Sequence, residues 1–270
     1  MLSIRAAAVA GMFYPEAPAV LAAQVQGFLA KAALPSSDAS WPKALIVPHA
    51  GYVYSGPIAA SAYRRIAAYA DAIRRVVLFG PTHRVAVQGL ALPSVQAFAT
   101  PLGTVEIDAD AVASALTLAQ VRKSDAAHAL EHSLEVQLPF LQTVLRHFRV
   151  VPFAVGDATA QQVAQVIELF WNDPGTLIVV SSDMSHYHSY REARVLDRAT
   201  ADSVLALSAT LQGEQACGAT PINGLLVAAR RRGLRPELID LRNSGDTAGD
   251  RSRVVGYASF AFAEVEHDRS

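Results

Sequence analysis

Three histidines each follow a short apolar run. Residues 44–47 (Ala-Leu-Ile-Val) lead through Pro48 to His49, and residues 76–79 (Val-Val-Leu-Phe) lead through Gly80, Pro81 and Thr82 to His83. Residues 176–180 (Thr-Leu-Ile-Val-Val) lead through Ser181, Ser182, Asp183, Met184 and Ser185 to His186. A neutral imidazole nitrogen binds metals, and the ring moves protons near neutral pH. Three rings on one rim would therefore allow either chemistry. Each run is rich in β-branched residues and stopped by Pro, Gly or Ser, which predicts a buried strand. Ligands of open α/β sheets bind beyond the carboxyl ends of the strands. If these strands are parallel, the three rings meet there.

Other residues extend that chemistry. Cys217 stands just ahead of a predicted helix N-terminus, where the positive end of the dipole favours a thiolate, both a nucleophile and a soft metal ligand. Its bland alternative is a small buried hydrophobe. Asp183 shares a loop with His186 and could orient that ring or raise its pKa, or simply satisfy turn backbone. The string His128-Ala129-Leu130-Glu131-His132 spells the inverted zinc-peptidase pattern. Five residues are a weak signal, and the predicted helix (133–147) begins only after them. A pocket-lining or supporting role suits Glu131 and His132 better.

The elements that must position these groups alternate along the chain. Helices are predicted at 17–33, 57–68, 109–118, 133–147, 160–171, 190–211 and 221–232. Pro57 suits a first helical position, Thr220 an N-cap and Gly233 a stop. Further strands are predicted at 150–155, 237–241 and 254–262, with a mixed segment around 89–92 and 103–107. This order predicts an α/β fold: a single domain (1–263) with a central, largely parallel or mixed sheet flanked by helices, and a polar C-terminal tail (264–270). The composition agrees, being 51% hydrophobic and only 17% charged, as a sheet covered on both faces requires. A net charge of −1 without a basic stripe argues against nucleic acid, and no apolar stretch is long enough for a membrane span. A lone cysteine cannot form an intrachain disulfide, so a reducing cytoplasm is the expected home.

The residues also carry a family likeness. In order they are Pro48-His49-Ala50-Gly51-Tyr52-Val53-Tyr54-Ser55-Gly56, Gly80-Pro81-Thr82-His83, Glu131-His132-Ser133-Leu134-Glu135, Ser181-Ser182-Asp183-Met184-Ser185-His186-Tyr187, Cys217-Gly218 and Asn243-Ser244-Gly245-Asp246. Together they resemble the Memo family, including the bacterial AmmeMemoRadiSam system protein B members, from about Arg5 to Phe262. The resemblance implies a fold similar to class III extradiol dioxygenases, which hold non-haem Fe(II) with two histidines and a carboxylate. It implies His49, His83 and Cys217 as metal ligands and His186 as the acid–base histidine, with Asp183 beside it. A thiolate in place of the carboxylate puts ring cleavage in doubt and lets copper or zinc compete with iron.

The first expectation is therefore a metal-binding, iron-dependent redox protein, whose enzymatic form would be an oxygen-dependent, dioxygenase-like oxidoreductase with catalytic His186 and Asp183. Glu131, His132, Tyr54, Ser185 and Phe13 would line the pocket. An alternative is a non-enzymatic module that captures a peptide or acidic ligand there, as the resemblance implies for family members described as phosphotyrosine-peptide adaptors. A third is a hydrolase with Cys217 as nucleophile, His186 as base and Asp183 as orienter, which leaves His49 and His83 without a task. The resemblance further implies a pathway link to a radical-SAM protein and an AMMECR1-like protein.

Overall fold

The β-branched runs form strands buried along their whole length, and these strands set the frame for everything else. The computed structural model describes residues 2–34 and 41–264; of the predicted polar tail only Glu264 falls within them. In chain order the elements are β1 (Ile4–Arg5), α1 (Pro18–Lys31), β2 (Pro42–Val47), α2 (Tyr52–Ile66), β3 (Arg75–Pro81), β4 (Leu90–Leu92), β5 (Ala97–Thr100), β6 (Gly103–Glu106), α3 (Ala109–Ala115) and β7 (Val121–Lys123). Then come α4 (Asp125–Ala129), α5 (Leu138–Val144), β8 (Arg149–Val155), α6 (Ala160–Leu169), β9 (Thr176–Ser181), β10 (His186–His188), α7 (Tyr190–Leu205), α8 (Ala219–Arg232), β11 (Leu234–Asn243) and β12 (Val254–Glu264).

A nine-stranded mixed sheet runs in the order β10-β12-β2-β9-β3-β8-β4-β7, with β11 paired to β12. Its centre, β2-β9-β3-β8, is parallel, while β12 joins β2 and β4 joins β8 antiparallel. Every residue of β2 and β9 is buried, so both faces of the centre are covered. Each fully buried Val, Leu or Ile contributes roughly 1.5–3 kcal/mol, and β9 alone holds Leu177, Ile178, Val179 and Val180. Because β9 lies between β2 and β3, the carboxyl ends of the three histidine-bearing strands are neighbours. The register pairs Val47 with Ser181 and Phe79 with Val180, so Ser181 falls beside the start of the His49 loop.

Two helices depart from expectation near the site. The helix predicted at 57–68 begins at Tyr52 and carries Pro57 inside it. Tertiary contacts nucleate the earlier turn: Tyr52 N–H donates to Phe13 O at 2.7 Å and Tyr52 Oη to Val136 O at 2.6 Å. The helix predicted at 133–147 is instead an irregular segment, a 3-10 turn (Glu135–Gln137) and the short α5. Pro139 favours the break, since its ring clashes with the carbonyl four residues back and suits the first turn of α5, where it stands. The irregular segment leaves His132 free to turn toward the sheet end.

Candidate metal centre

The parallel centre brings His49 and His83 together, and the irregular segment adds His132. One nitrogen from each ring lies within 4.8 Å of the others. His132 stacks on His83 with centroids 4.6 Å apart and planes at 26°, and His49 meets both edge-on at 5.2 and 5.4 Å. The three-way group thus contains His132 where the resemblance implies Cys217. Cys217 lies against His49, its Sγ 3.2 Å from Nε2.

The His83 and His49 rings are held from behind, and His132 is held through its backbone. Glu131 Oε2 accepts His83 N–H at 2.6 Å, and Oε1 faces His83 Nδ1 at 2.8 Å. Oε1 also accepts the His132 and Ser133 N–H groups at 3.0 and 2.9 Å. Burial pushes this carboxyl upward, but the hydrogen bonds from the His83 side chain and backbone and from Ser133 outweigh it, and its pKa falls to about 2. As a carboxylate it can only accept, so His83 Nδ1 carries a proton and Nε2 is the nitrogen left to face the site. His49 Nδ1 lies 2.9 Å from Ser181 Oγ. Burial, with repulsion from His132 and His83, holds His49 well below the ordinary imidazole range. Burial likewise takes His132 to about 4. At pH 7 both rings are neutral and fit to donate to a metal.

Asp183 does not brace His186. Its Oδ1 accepts the His49 and Ala50 N–H groups at 2.7 and 3.3 Å, fixing the backbone of the His49 loop. Burial raises its pKa to about 7 against the pull of those two amides. His186 follows on the same loop, half-buried, and burial lowers its pKa while a hydrogen bond to the Met184 backbone opposes the fall. Ser185 is buried, and its backbone N–H donates to Asp197 Oδ1 at 3.0 Å. Phe13 packs on His132 at 4.7 Å, and Tyr54 is partly exposed beside the His49 loop.

Cys217 sits one residue before Gly218, the N-cap of α8. A side chain at Gly218 would collide with Ser182 Cβ and with Ser181 O, at 2.7 and 2.9 Å, so glycine lets this segment close onto the end of β9. The resulting burial, with the charge of Asp183, pushes the thiol to about 12. This corrects the thiolate expected from the helix dipole, because desolvation outweighs it. The inverted zinc-peptidase pattern does not assemble either. His128 belongs to α4, is buried, and directs Nε2 to Ala91 O at 3.0 Å.

Three contributors escaped the sequence reading. Gln137 is 1% exposed between Val136 and Leu138, and an amide flanked by apolar residues is the available signal. In sequence Ser181 reads only as a loop neighbour, whereas it ends β9. Glu135 anchors the N-terminal segment: it accepts from Arg5, Tyr14 Oη and the Ala8 and Val9 N–H groups, all at 2.5 to 3.0 Å. That segment carries Phe13 to His132.

A family model described as Memo-like protein matches residues 5–261. A MEMO1 family protein of Archaeoglobus fulgidus is 38% identical over 269 residues, covering 94% of this chain and 97% of its own. Another from Aquifex aeolicus is 35% identical over 279 residues, covering 97% and 100%. Among solved structures, uncharacterized protein JW3007 from Escherichia coli K12 is similar with a TM-score of 0.49 and 11% identity, over 80% of this chain and 98% of its own. So distant a likeness carries no activity across. No helix among the described residues is long and apolar enough to cross a membrane.

Proposed function

The chain belongs to the Memo-like protein family, and from that premise we propose that it is a metal-dependent redox protein working at the carboxyl end of its parallel strands. The observation that carries this reading is the group of three imidazoles within 4.8 Å of one another, two of them neutral through burial. His49, His83 and His132 would hold the ion, with the Cys217 sulfur beside His49 as a further donor. Nitrogen donors of this kind suit iron, copper and zinc, and non-haem Fe(II) is the resident favoured here. Bound there, iron would supply one-electron and oxygen chemistry.

The surrounding residues have separate tasks. Glu131 accepts from His83 and fixes the ring that binds. Asp183 anchors the His49 backbone, and its raised pKa lets its carboxyl hold a proton near neutral pH. His186 is the nearby imidazole able to give or take a proton, bounded by Tyr187 at 5.8 Å. Phe13 shields the His132 face from water. Against a cysteine hydrolase with His186 as its base stand a thiol that burial holds protonated and a sulfur placed against His49 instead.

The test is metal analysis of protein purified without oxygen. Roughly one iron per chain is expected, and none after His49→Ala, because a three-donor site loses its ion with any donor. Wild-type protein that binds no transition metal under these conditions would sink the reading.

A further inference from the structure

The hydrogen-bond inventory behind His49 fixes which ring nitrogen carries the proton. Ser181 Oγ has three neighbours: Ser133 O at 2.6 Å, Gln137 Nε2 at 2.8 Å and His49 Nδ1 at 2.9 Å. A hydroxyl brings one proton and two lone pairs. Gln137 is oriented by its other contacts. Its Nε2 donates to Pro48 O at 2.9 Å, and its Oε1 accepts from Tyr63 Oη at 2.9 Å. Turning the amide over would set its oxygen against the Pro48 carbonyl. The second Gln137 N–H therefore points at Ser181 Oγ and fills one lone pair.

The Ser181 proton then has two destinations, the Ser133 carbonyl or His49 Nδ1. Two oxygens 2.6 Å apart without a proton between them repel, so the proton lies toward Ser133 O. One lone pair remains on Oγ, and it faces His49 Nδ1. Nδ1 must bring its own proton, whatever the charge of the ring. Ser181, Gln137, Tyr63 and His49 are all at most 2% exposed, so bulk water does not substitute for any partner.

We propose that Ser181, oriented by Gln137 and the Ser133 carbonyl, is a positioning residue that holds His49 with its proton on Nδ1 and a bare lone pair on Nε2. The contact between Nε2 and Cys217 then takes its proton from the thiol. Both ends of the chain are anchored: Tyr63 stacks on Phe140 at 5.2 Å with planes at 11°, and Gln137 also pins the backbone at Pro48. His83 reaches the same tautomer through Glu131, a carboxylate. His49 reaches it through a neutral hydroxyl, which adds no charge beside a fully buried ring. The consequence for metal binding rests on the function proposed above; the proton position does not.

Long-range nitrogen–proton correlation spectra of the metal-free, 15N-labelled full chain test this, with the His49 signals assigned by their loss in His49→Asn. The wild type should show a protonated Nδ1 and an unprotonated Nε2 at His49. A protonated Nε2 there overturns the inference without need of any variant. In folded Ser181→Ala the Nδ1–H signature should be lost, and Co(II) affinity should fall by about 10–100-fold, the range for removal of a ligand-orienting partner. Retention of that signature in the variant overturns the role of Ser181. If the wild type shows the stated tautomer yet binds no Co(II), this inference is supported and the metal reading fails.

Discussion

Two buried carboxylates brace this site from two loops, and they behave in opposite ways. Glu131 receives two backbone N–H groups besides the His83 backbone and ring, and its pKa falls to about 2. Asp183 receives only the His49 and Ala50 amides through one oxygen, and its pKa rises to about 7. Burial acts on both in the same direction. Donor number decides which carboxyl stays charged. The fold therefore sets a permanent anion behind His83 and a proton-holding acid under His49.

The largest test of that contrast removes each acid in turn. Glu131→Ala strands three backbone N–H groups and a ring N–H, each costing about 1–3 kcal/mol when buried without a partner. A loss above roughly 3 kcal/mol is expected in urea denaturation. Asp183→Ala strands two N–H groups but also removes a poorly compensated buried acid, so about 1 kcal/mol is expected. Equal losses would break the comparison. The milder Glu131→Gln should fold, yet bind Co(II) about 10–100-fold more weakly.

The pH dependence of stability separates the two acids further. The folded pKa of Glu131, about 2, lies below the ordinary 4.5. Its stabilisation is present above pH 4.5 and is lost as pH falls toward 2. Asp183 has the reverse sign, with a folded pKa of about 7 above the ordinary 3.8. The folded state then holds the extra proton, so stability declines as pH rises from about 4 to 7 and is flat beyond. At full extent the Glu131 arm is worth about 3 kcal/mol and the Asp183 arm about 4 kcal/mol. Stability of Asp183→Asn measured across pH 2 to 8 should lose the declining arm and keep the rising one. A decline that persists unchanged assigns it to another group.

Sequence made the frame readable because burial on both faces demands β-branched runs, and Pro, Gly and Ser mark where they stop. It also implied that His49, His83 and His186 share a rim, since strand order carries them there. It did not place His132 in the group. The periodicity after Ser133 resembles a helix, and only Pro139 hints that the chain bends instead. The roles of Gln137 and Ser181 depend on distances of 2.6 to 2.9 Å, which no spacing encodes. The charge of Cys217 is hidden for a different reason: helix onset is visible in sequence, but the desolvation that overrides its dipole is a property of the packed structure.

A smaller effect asks whether sulfur joins the three rings. With the thiol pushed to about 12, Cys217 is protonated at pH 8, while His49 and His132 already lack a second proton. Zinc held by imidazoles alone should release no proton from these two rings, whereas a Zn–S bond should release about one per ion. An indicator dye in weakly buffered solution reads the difference, and Cys217→Ser should abolish a release that comes from the thiol. Release that survives this substitution would assign the proton to another group and leave the sulfur outside the site.

The smallest expected effect concerns the two histidines of the 128–132 string, four residues apart yet in different surroundings. His132 is stacked on His83, whereas His128 packs against Phe98 at 5.9 Å and spends Nε2 on Ala91 O. Burial lowers the pKa of His128 to about 4, and its Nδ1 has no hydrogen-bond partner among the described residues. His128→Leu removes one hydrogen bond and one unpaired nitrogen together, so these changes largely offset and the expected loss is about 1 kcal/mol. Metal content should stay at the wild-type level, while His132→Ala should lose the ion. If His128→Leu stripped the metal and His132→Ala kept it, the string would be working as a helical pair. The grouping of His132 with His49 and His83 would then have no bearing on binding.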